Sequence, residues 1–347
     1  MTGDFGPASL AGDATTEIAG RPPAGDLSRN GGPPVCFHMT APHSPPGPGG
    51  RTDVTAHRPR LLGLAYRMLG DMDDAEDVVQ EAYLRWHRDP RDDIRSAEAW
   101  LVTVVSRLAI DRLRRAATER TTYVGPWLPE PIAAEAPGAE VPGVEPPPDR
   151  NVELASDLSV ALLVLLERLA PEERAAFLLR EVFGTDYGEI ARILNRRPAA
   201  ARQMVHRARE RVHADRPRVA AAAETHEAVL ERFLAALGAD DAPALLALLS
   251  PEVVLASDGG GRVTAARNRI AGADRVVRFL LGVARKYGAE TTHRIGRVNG
   301  APALLTYEGE RLSSVTTLDI DDGRIRAVYS VRNPDKLRHA TAGVVIE

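Results

Sequence analysis

Four side chains in one short stretch have the chemistry to read DNA. Arg202, Gln203, His206 and Arg207 share one side of a helical segment within 186–212, DYGEIARILNRRPAAARQMVHRARERV. Arginine and glutamine carry donors and acceptors that match base edges in the major groove. Such a face needs a brace, and the same segment supplies one. Ile190, Ala191 and Leu194 line one side of a first helix. Ala201, Val205, Ala208 and Val212 recur at helical spacing in a second helix and can pack back on them. Asn195, Arg196 and Arg197 form the break, and Pro198 suits a first helical position, where its missing N–H is no loss. This is the layout of a helix-turn-helix, one helix bracing and one entering the groove. A basic helix hairpin with a solvated face is the alternative on this segment alone.

The whole chain sets bounds on that reading. Its 347 residues suggest two or three domains. No run of about 18 apolar residues is present, so no membrane span is expected. No apolar stretch follows basic residues at the N-terminus, so no secretory signal is expected. The single cysteine, Cys36, excludes an intramolecular disulfide framework and fits a reducing, cytoplasmic setting. Nine histidines lie scattered without ligand spacing, so neither metal nor cofactor is expected. The net charge of −4 hides an asymmetry: arginines cluster around 107–120 and 196–218. Local rather than total charge governs binding to nucleic acid.

Composition divides the chain. Residues 1–52 are rich in Gly, Pro and Ala without apolar period, which predicts a disordered tail and leaves translation from Met39 open. Residues 119–151 contain PEPIAAEAPGAEVPGVEPPPD, a Pro- and Glu-rich linker expected to be extended and semi-rigid. An Ala-rich hinge follows near 217–224. Folded blocks are expected at 53–118, 152–215 and 225–335, with 336–347 a C-terminal tail.

The first block reads as all helix. Asp73 and Glu76 have the spacing of a capping box. Beyond them Ala75, Val78, Val79, Ala82, Tyr83 and Trp86 form an apolar stripe, and Asp74, Asp77, Gln80, Glu81 and Arg85 the opposite face. A helix over about 98–117 buries Leu101, Val104, Val105 and Leu108 and presents Thr103, Arg107, Asp111 and Arg114.

The segments LLGLAYRMLGDMDDAEDVVQEAYLRWHR, AWLVTVVSRLAIDRLRRA and LLVLLERLAPEERAAFLLREVFGTDYGEIARILNRRPAAARQMVHRARERV, in that order, closely resemble a bacterial RNA polymerase sigma factor of the extracytoplasmic-function type. The resemblance covers about 53–118 and 152–215. It implies that Asp77, Gln80 and Glu81 dock on the coiled coil of the polymerase β′ subunit, and that the second sigma domain meets the β flap. It implies a minus-10 promoter contact through Arg107, Asp111, Arg112, Arg114 and Arg115, with the loop 89–96 where the family captures an unstacked base. Arg196, Arg197, Arg202, Gln203, His206 and Arg207 become the minus-35 set. Arg197 departs from the small hydroxyl residue often found before the recognition helix, which weakens the cap; it either contacts a phosphate there or is simply exposed.

The third block is extra. An amphipathic helix carries Val229, Leu230, Phe233, Leu234 and Leu237; a short helix covers 243–249, and a strand follows around 253–256. A helix over 273–287 shows Val276, Val277, Leu280, Leu281 and Ala284. Runs at 290–299, 302–308, 311–321 and 324–331 are separated by Asn299-Gly300, Glu308-Gly309 and Asp322-Gly323, which argues for antiparallel hairpins. This pattern resembles a SnoaL-like cone. The expected fold is therefore multidomain: two all-α sigma domains, a helical bundle and a helix-turn-helix, followed by an α+β SnoaL-like cone.

Sigma factors with such a tail form a group, and three short motifs match it: WLPEP at 127–131, SDGGGR at 257–262 and NPDKL at 333–337. The resemblance implies a regulatory contact inside the chain, between Trp127, Leu128 and Pro129 of the linker and Asp258, Gly259, Gly260, Asn333, Pro334 and Asp335 of the tail. Cyclase relatives of the cone move a proton with an acid or a histidine, and Asp258, His293 and Asp335 are the nearest such residues here. Asp258 beside three glycines is more simply a turn residue. No enzyme activity is expected, and whether a small molecule fills the cone is left open. The expected partners are core RNA polymerase and promoter DNA. The alternative is a one-component helix-turn-helix regulator driven by a ligand-binding cone; the block 73–117, which a repressor does not need, separates the two.

Overall fold

The structure, a computed structural model, describes residues 54–88, 94, 96–132, 159–215 and 223–341. The tail 1–52, nearly all of the loop 89–96, linker residues 133–151 and most of the hinge lie outside the described residues.

Three helices build the first block: α1 (Arg58–Leu69), α2 (Met72–Arg88) and α3 (Ala97–Glu119). Gly70, at φ 69°, ends α1 in the left-handed conformation that favours glycine. The start of α2 corrects the capping box placed at Asp73: the Asp71 carboxylate accepts from Asp74 N at 3.0 Å. Helix α2 thus begins at Met72, one residue after its cap. Ser96 caps α3 through Ala99 N at 3.2 Å. Ala75, Val78, Val79 and Ala82 of α2 are buried, as are Leu101, Val105 and Leu108 of α3.

Four more helices follow: α4 (Val160–Leu166), α5 (Pro171–Glu181), α6 (Tyr187–Ile193) and α7 (Pro198–Asp215). Asp186 caps α6 through Gly188 N and Glu189 N. Asn195, at φ 52°, makes the turn into α7. Ala201, Val205, Ala208 and Val212 are all buried against Ile190 and Ala191. The two helical blocks do not keep separate cores. One continuous apolar cluster runs from Val54 through α1, α2 and α3 to Val212.

The third block has α8 (Ala223–Gly238), α9 (Ala242–Leu248) and α10 (Ala273–Tyr287) over one sheet. Its strands are β1 (Leu249–Asp258), β2 (Ile270–Ala271), β3 (Thr291–Val298), β4 (Ala301–Glu308), β5 (Arg311–Asp321) and β6 (Arg324–Val331). Their order is β2-β1-β6-β5-β4-β3. The hairpins turn at Asn299-Gly300 and Asp322-Gly323, where both residues of each pair have positive φ, the geometry of type I′ turns. The sheet is mixed rather than wholly antiparallel, because β1 lies parallel to β6.

Both faces of this sheet are covered. Leu255, Leu304, Leu318 and Val328 pack under the cone's own helices. Their strand neighbours Ala256, Ala303, Leu305 and Tyr329 belong to a second cluster with Leu128 of the linker and Val160 and Val164 of α4. Helix α4 is accordingly apolar nearly all round, with six of its seven residues buried. The chain stays folded past 335: a 3₁₀ turn (Pro334–Lys336) and α11 (Arg338–Thr341) follow, with Leu337 and Ala340 buried. No described helix is long and apolar enough to cross a membrane.

Candidate nucleic-acid interface and its linker

On α7 the outward positions are Arg202, Gln203, His206 and Arg207, all exposed. His206 Nε2 lies 3.6 Å from Glu210 one turn on, and Arg202 stands over the Tyr187 ring at 5.6 Å. Arg207 is turned toward α5, 3.6 Å from Glu173. Arg196 and Arg197 are exposed in the turn before Pro198.

The basic face of α3 is differently placed. Arg107 Nε donates to Ile193 O and its Nη2 to Arg192 O, both at 3.0 Å. Those carbonyls end α6 and carry the negative end of its dipole. Arg114 donates to Asp111 at 3.1 Å and pairs with Glu172 of α5. Between the blocks, Arg107, Asp111, Arg114 and Arg196 line a cleft of about 470 Å³. Arg112 does not join that face: its Nε donates to Asp74 of α2 at 3.0 Å. Arg115 Nε donates back to Asp111 O, one turn earlier on its own helix, at 3.3 Å. On α2, Asp77, Gln80 and Glu81 are exposed, Glu81 pairing with Arg85.

Beside the shared apolar core, buried charge bridges the two blocks. Arg174 of α5, 3% exposed, donates to Met68 O at the end of α1 (2.6 Å) and to Glu167 (2.7 Å). Glu167 also pairs with Arg120, whose guanidinium stacks 3.6 Å from the Trp127 ring centroid.

Trp127 opens the linker segment, and here the tail motifs meet it. Asp258, fully buried, accepts four hydrogen bonds: from Tyr123 Oη (2.6 Å), Leu128 N (2.9 Å), Lys336 Nζ (2.7 Å) and Gly260 N (3.0 Å). Lys336 also donates to Leu128 O at 2.6 Å and sits over Trp127 at 4.0 Å. Burial pushes the Lys336 ammonium below its ordinary pKa, against the pull of Asp258. Burial and the adjacent carboxylate raise the Tyr123 phenol. Gly260 is obligatory because a Cβ there would meet Asn333 Nδ2 at 2.3 Å. Pro334 starts the 3₁₀ turn that carries Lys336.

One step along, Glu130 is clamped between the cone and the first block. Its Oε2 accepts from Met72 N at 2.7 Å, at the positive end of α2, and its Oε1 meets His339 Nδ1 at 2.6 Å. Burial raises its carboxyl, partly offset by these partners. Its N–H donates to Gly70 O (2.8 Å) and its carbonyl accepts from Tyr66 Oη (2.6 Å). Asn299 completes the clamp, donating to Tyr66 Oη (2.6 Å) and exchanging two bonds with Ile132.

The structure therefore gathers Trp127, Leu128, Asp258, Gly260 and Asn333 at one socket, with Pro129 against Gly70. Gly259 packs on Val263 and Ala265 beside it. Asp335 is a correction: its carboxylate faces outward to Arg262 at 3.2 Å. The strongest contacts come from residues that motif reading passed over, Tyr123, Glu130 and Lys336. Glu130 and Lys336 are ionisable residues inside WLPEP and NPDKL, a signal that the sequence carries. Asp258, His293 and Asp335 do not share a pocket: Asp258 lies under the linker, Asp335 on the surface and His293 in the cone cavity.

Comparison with known proteins agrees with this layout. Residues 54–119 match Sigma-70 region 2 and residues 159–212 match Sigma-70, region 4. The ECF RNA polymerase sigma factor SigJ of Mycobacterium tuberculosis is 37% identical over 295 residues, covering 82% of this chain and 92% of that protein. The probable ECF RNA polymerase sigma factor SigI of the same species is 37% identical over 286 residues, covering 81% and 92%. The crystal structure of Mycobacterium tuberculosis SigJ superposes with a TM-score of 0.65 at 34% identity, covering 82% of this chain and 96% of that one. The repressor alternative has no place for region 2. The chain belongs to the extracytoplasmic-function RNA polymerase sigma factors, non-enzymatic initiation factors that bind core polymerase and promoter DNA.

Proposed function

We propose that this sigma factor is restrained by its own tail. The cone holds the linker, the linker holds the two sigma blocks together, and Arg107 and Arg114 of α3, though exposed, stay engaged by α6 carbonyls and Glu172 while the blocks are closed. The observation that carries this reading is the Asp258 socket, where linker and tail donors converge on one buried carboxylate. A tethered tail is at high effective concentration, so modest contacts suffice to hold it.

In the open form, Arg107, Asp111, Arg114 and Arg115 face the minus-10 element, with loop 89–96 taking an unstacked base. Arg112, engaged by Asp74, serves as a positioning residue. Arg196, Arg197, Arg202, Gln203, His206 and Arg207 face the minus-35 element. Asp77, Gln80 and Glu81 dock on the β′ coiled coil, and the second sigma domain on the β flap. Folded blocks divide near 53–118, 152–215 and 225–341.

Run-off transcription with purified core polymerase tests the restraint, comparing the full chain with Asp258→Ala and with a chain lacking 225–347. Both changes raise promoter-specific transcripts several-fold if the tail restrains. Equal transcription from all three at every promoter tried removes self-regulation from the account.

A further inference from the structure

Between α8, α10 and the inner sheet face lies a cavity of about 540 Å³, within the range of small-molecule sites. It has two unlike walls. Phe233, Leu234, Phe279 and Leu280 make the helical wall. The sheet wall is a field of hydroxyls: Ser257, Ser314, Thr316 and Ser330. Thr316 and Ser330 bond to each other at 3.0 Å, whereas the Ser257 and Ser314 hydroxyls have no partner among the described residues. Of the charged residues along the cavity, Asp240 is paired with Arg285 and Glu308 with Arg311. Arg332 has no acidic partner among the described residues; its guanidinium donates only to Thr264 O, at 2.6 Å. His293 meets Thr306 Oγ1 at 3.2 Å, and burial holds its imidazole below its ordinary pKa.

We propose that this cavity binds an amphiphilic carboxylic acid, its apolar body against the helical wall and its carboxylate on Arg332 and the neighbouring hydroxyls. A guanidinium matches a carboxylate in shape and charge, and a half-enclosed site strengthens the pair. The cavity suits a body of roughly 20 non-hydrogen atoms.

The position of the head group ties this site to the linker. Successive strand residues face opposite ways, so Ser257 lines the cavity while Asp258, next along β1, faces the linker. Arg332 N donates to Asp258 O at 2.7 Å, and Asn333 N to the same oxygen at 2.9 Å. A carboxylate drawn onto the Arg332 side chain loads the backbone that carries the socket. This link rests on the restraint proposed above; the binding does not.

The test uses the purified full chain with cis-parinaric acid, a fluorescent polyene acid, and its methyl ester. The acid binds saturably, one per chain, with a Kd on the order of micromolar. Arg332→Gln weakens the acid about tenfold and leaves the ester unchanged, the loss of one charge-assisted contact. Ala284→Trp, or the milder Val283→Phe, fills the cavity from α10 and abolishes binding of both. No saturable binding, or binding unchanged in both filled variants, overturns the site. Equal weakening of acid and ester by Arg332→Gln overturns the carboxylate. Because neither polymerase nor promoter is present, this outcome is independent of the run-off result. Saturating acid then alters run-off transcription by the wild-type chain but not by Arg332→Gln; no response in the wild type overturns the link to the linker.

Discussion

On α2, Asp77 and Gln80 project from an exposed face, and Glu81 meets only Arg85 on the same helix. On α3, in the same block, Arg107 is spent on the last carbonyls of α6 and Arg114 on Glu172. Both helices are amphipathic, and both polar faces look alike in sequence. The difference lies in what each charge can find inside the chain. Carbonyl and carboxylate oxygens offer an arginine the same chemistry as a phosphate, so an internal partner can stand where DNA would. Among the described residues no arginine of another element reaches Asp77 or Glu81, so that face keeps its charges free for an outside partner. The proposed restraint thus acts by engaging the α3 arginines and leaves the acidic face of α2 free.

The largest effect is expected from Asp258→Ala, which strands the buried Lys336 ammonium without its counter-charge. Removing one partner of a buried pair costs about 3–5 kcal/mol. Urea unfolding shows the loss, and solution scattering shows a larger radius, as the cone releases the linker. Core polymerase binding stays unchanged, with Asp77→Ala as a weakened reference; a parallel loss of core affinity would mean the two faces are not independent.

Arg202→Ala and Gln203→Ala probe the exposed outward face of α7. Each costs about 1–3 kcal/mol on a minus-35 site, measured by fluorescence anisotropy. The same loss on scrambled DNA assigns them to phosphates alone.

Glu172→Gln releases Arg114 without altering α3 itself. An ion pair this exposed contributes under about 1 kcal/mol, so binding to minus-10 DNA improves by a few-fold at most. Weaker binding would show that Glu172 orients Arg114 for DNA rather than masking it.

The smallest effect is a pH dependence confined to the cone. Burial depresses His226 and His293 below their ordinary value of 6.5. Stability from their neutral rings is present above that value and lost as pH falls through the depressed ones. Acidification from about pH 7 to pH 5.5 therefore lowers the cone's melting temperature slightly, and His226→Gln with His293→Gln flattens the slope. A slope unchanged in the double variant assigns it elsewhere.

Much of the fold was legible. The α7 positions Ala201, Val205, Ala208 and Val212 follow from a 3.6-residue period, and the hairpins at Asn299-Gly300 and Asp322-Gly323 from residues that tolerate positive φ. The cap expected at Asp73 lies at Asp71, because several acids close together satisfy the same pattern and only the backbone shows which one turns toward the helix. The parallel pairing of β1 with β6 depends on a crossover through α10, which strand patterns do not report. A further clue lies in β4, where Ala303, Leu304 and Leu305 are apolar in succession and so on both faces, which an ordinary half-exposed sheet does not need.

The sequence by itself determined the elements, the apolar stripes and the two sigma regions, because periodicity and turn chemistry are local. Only the tertiary structure decided that Arg107 of α3 is taken up by the α6 carbonyls and that Glu130 caps α2 from 58 residues away. The same holds for Lys336, which reaches Asp258 and Leu128 together. Local patterns record which side of an element must be covered; which distant charge does the covering is settled by packing, where burial makes each unpaired group costly.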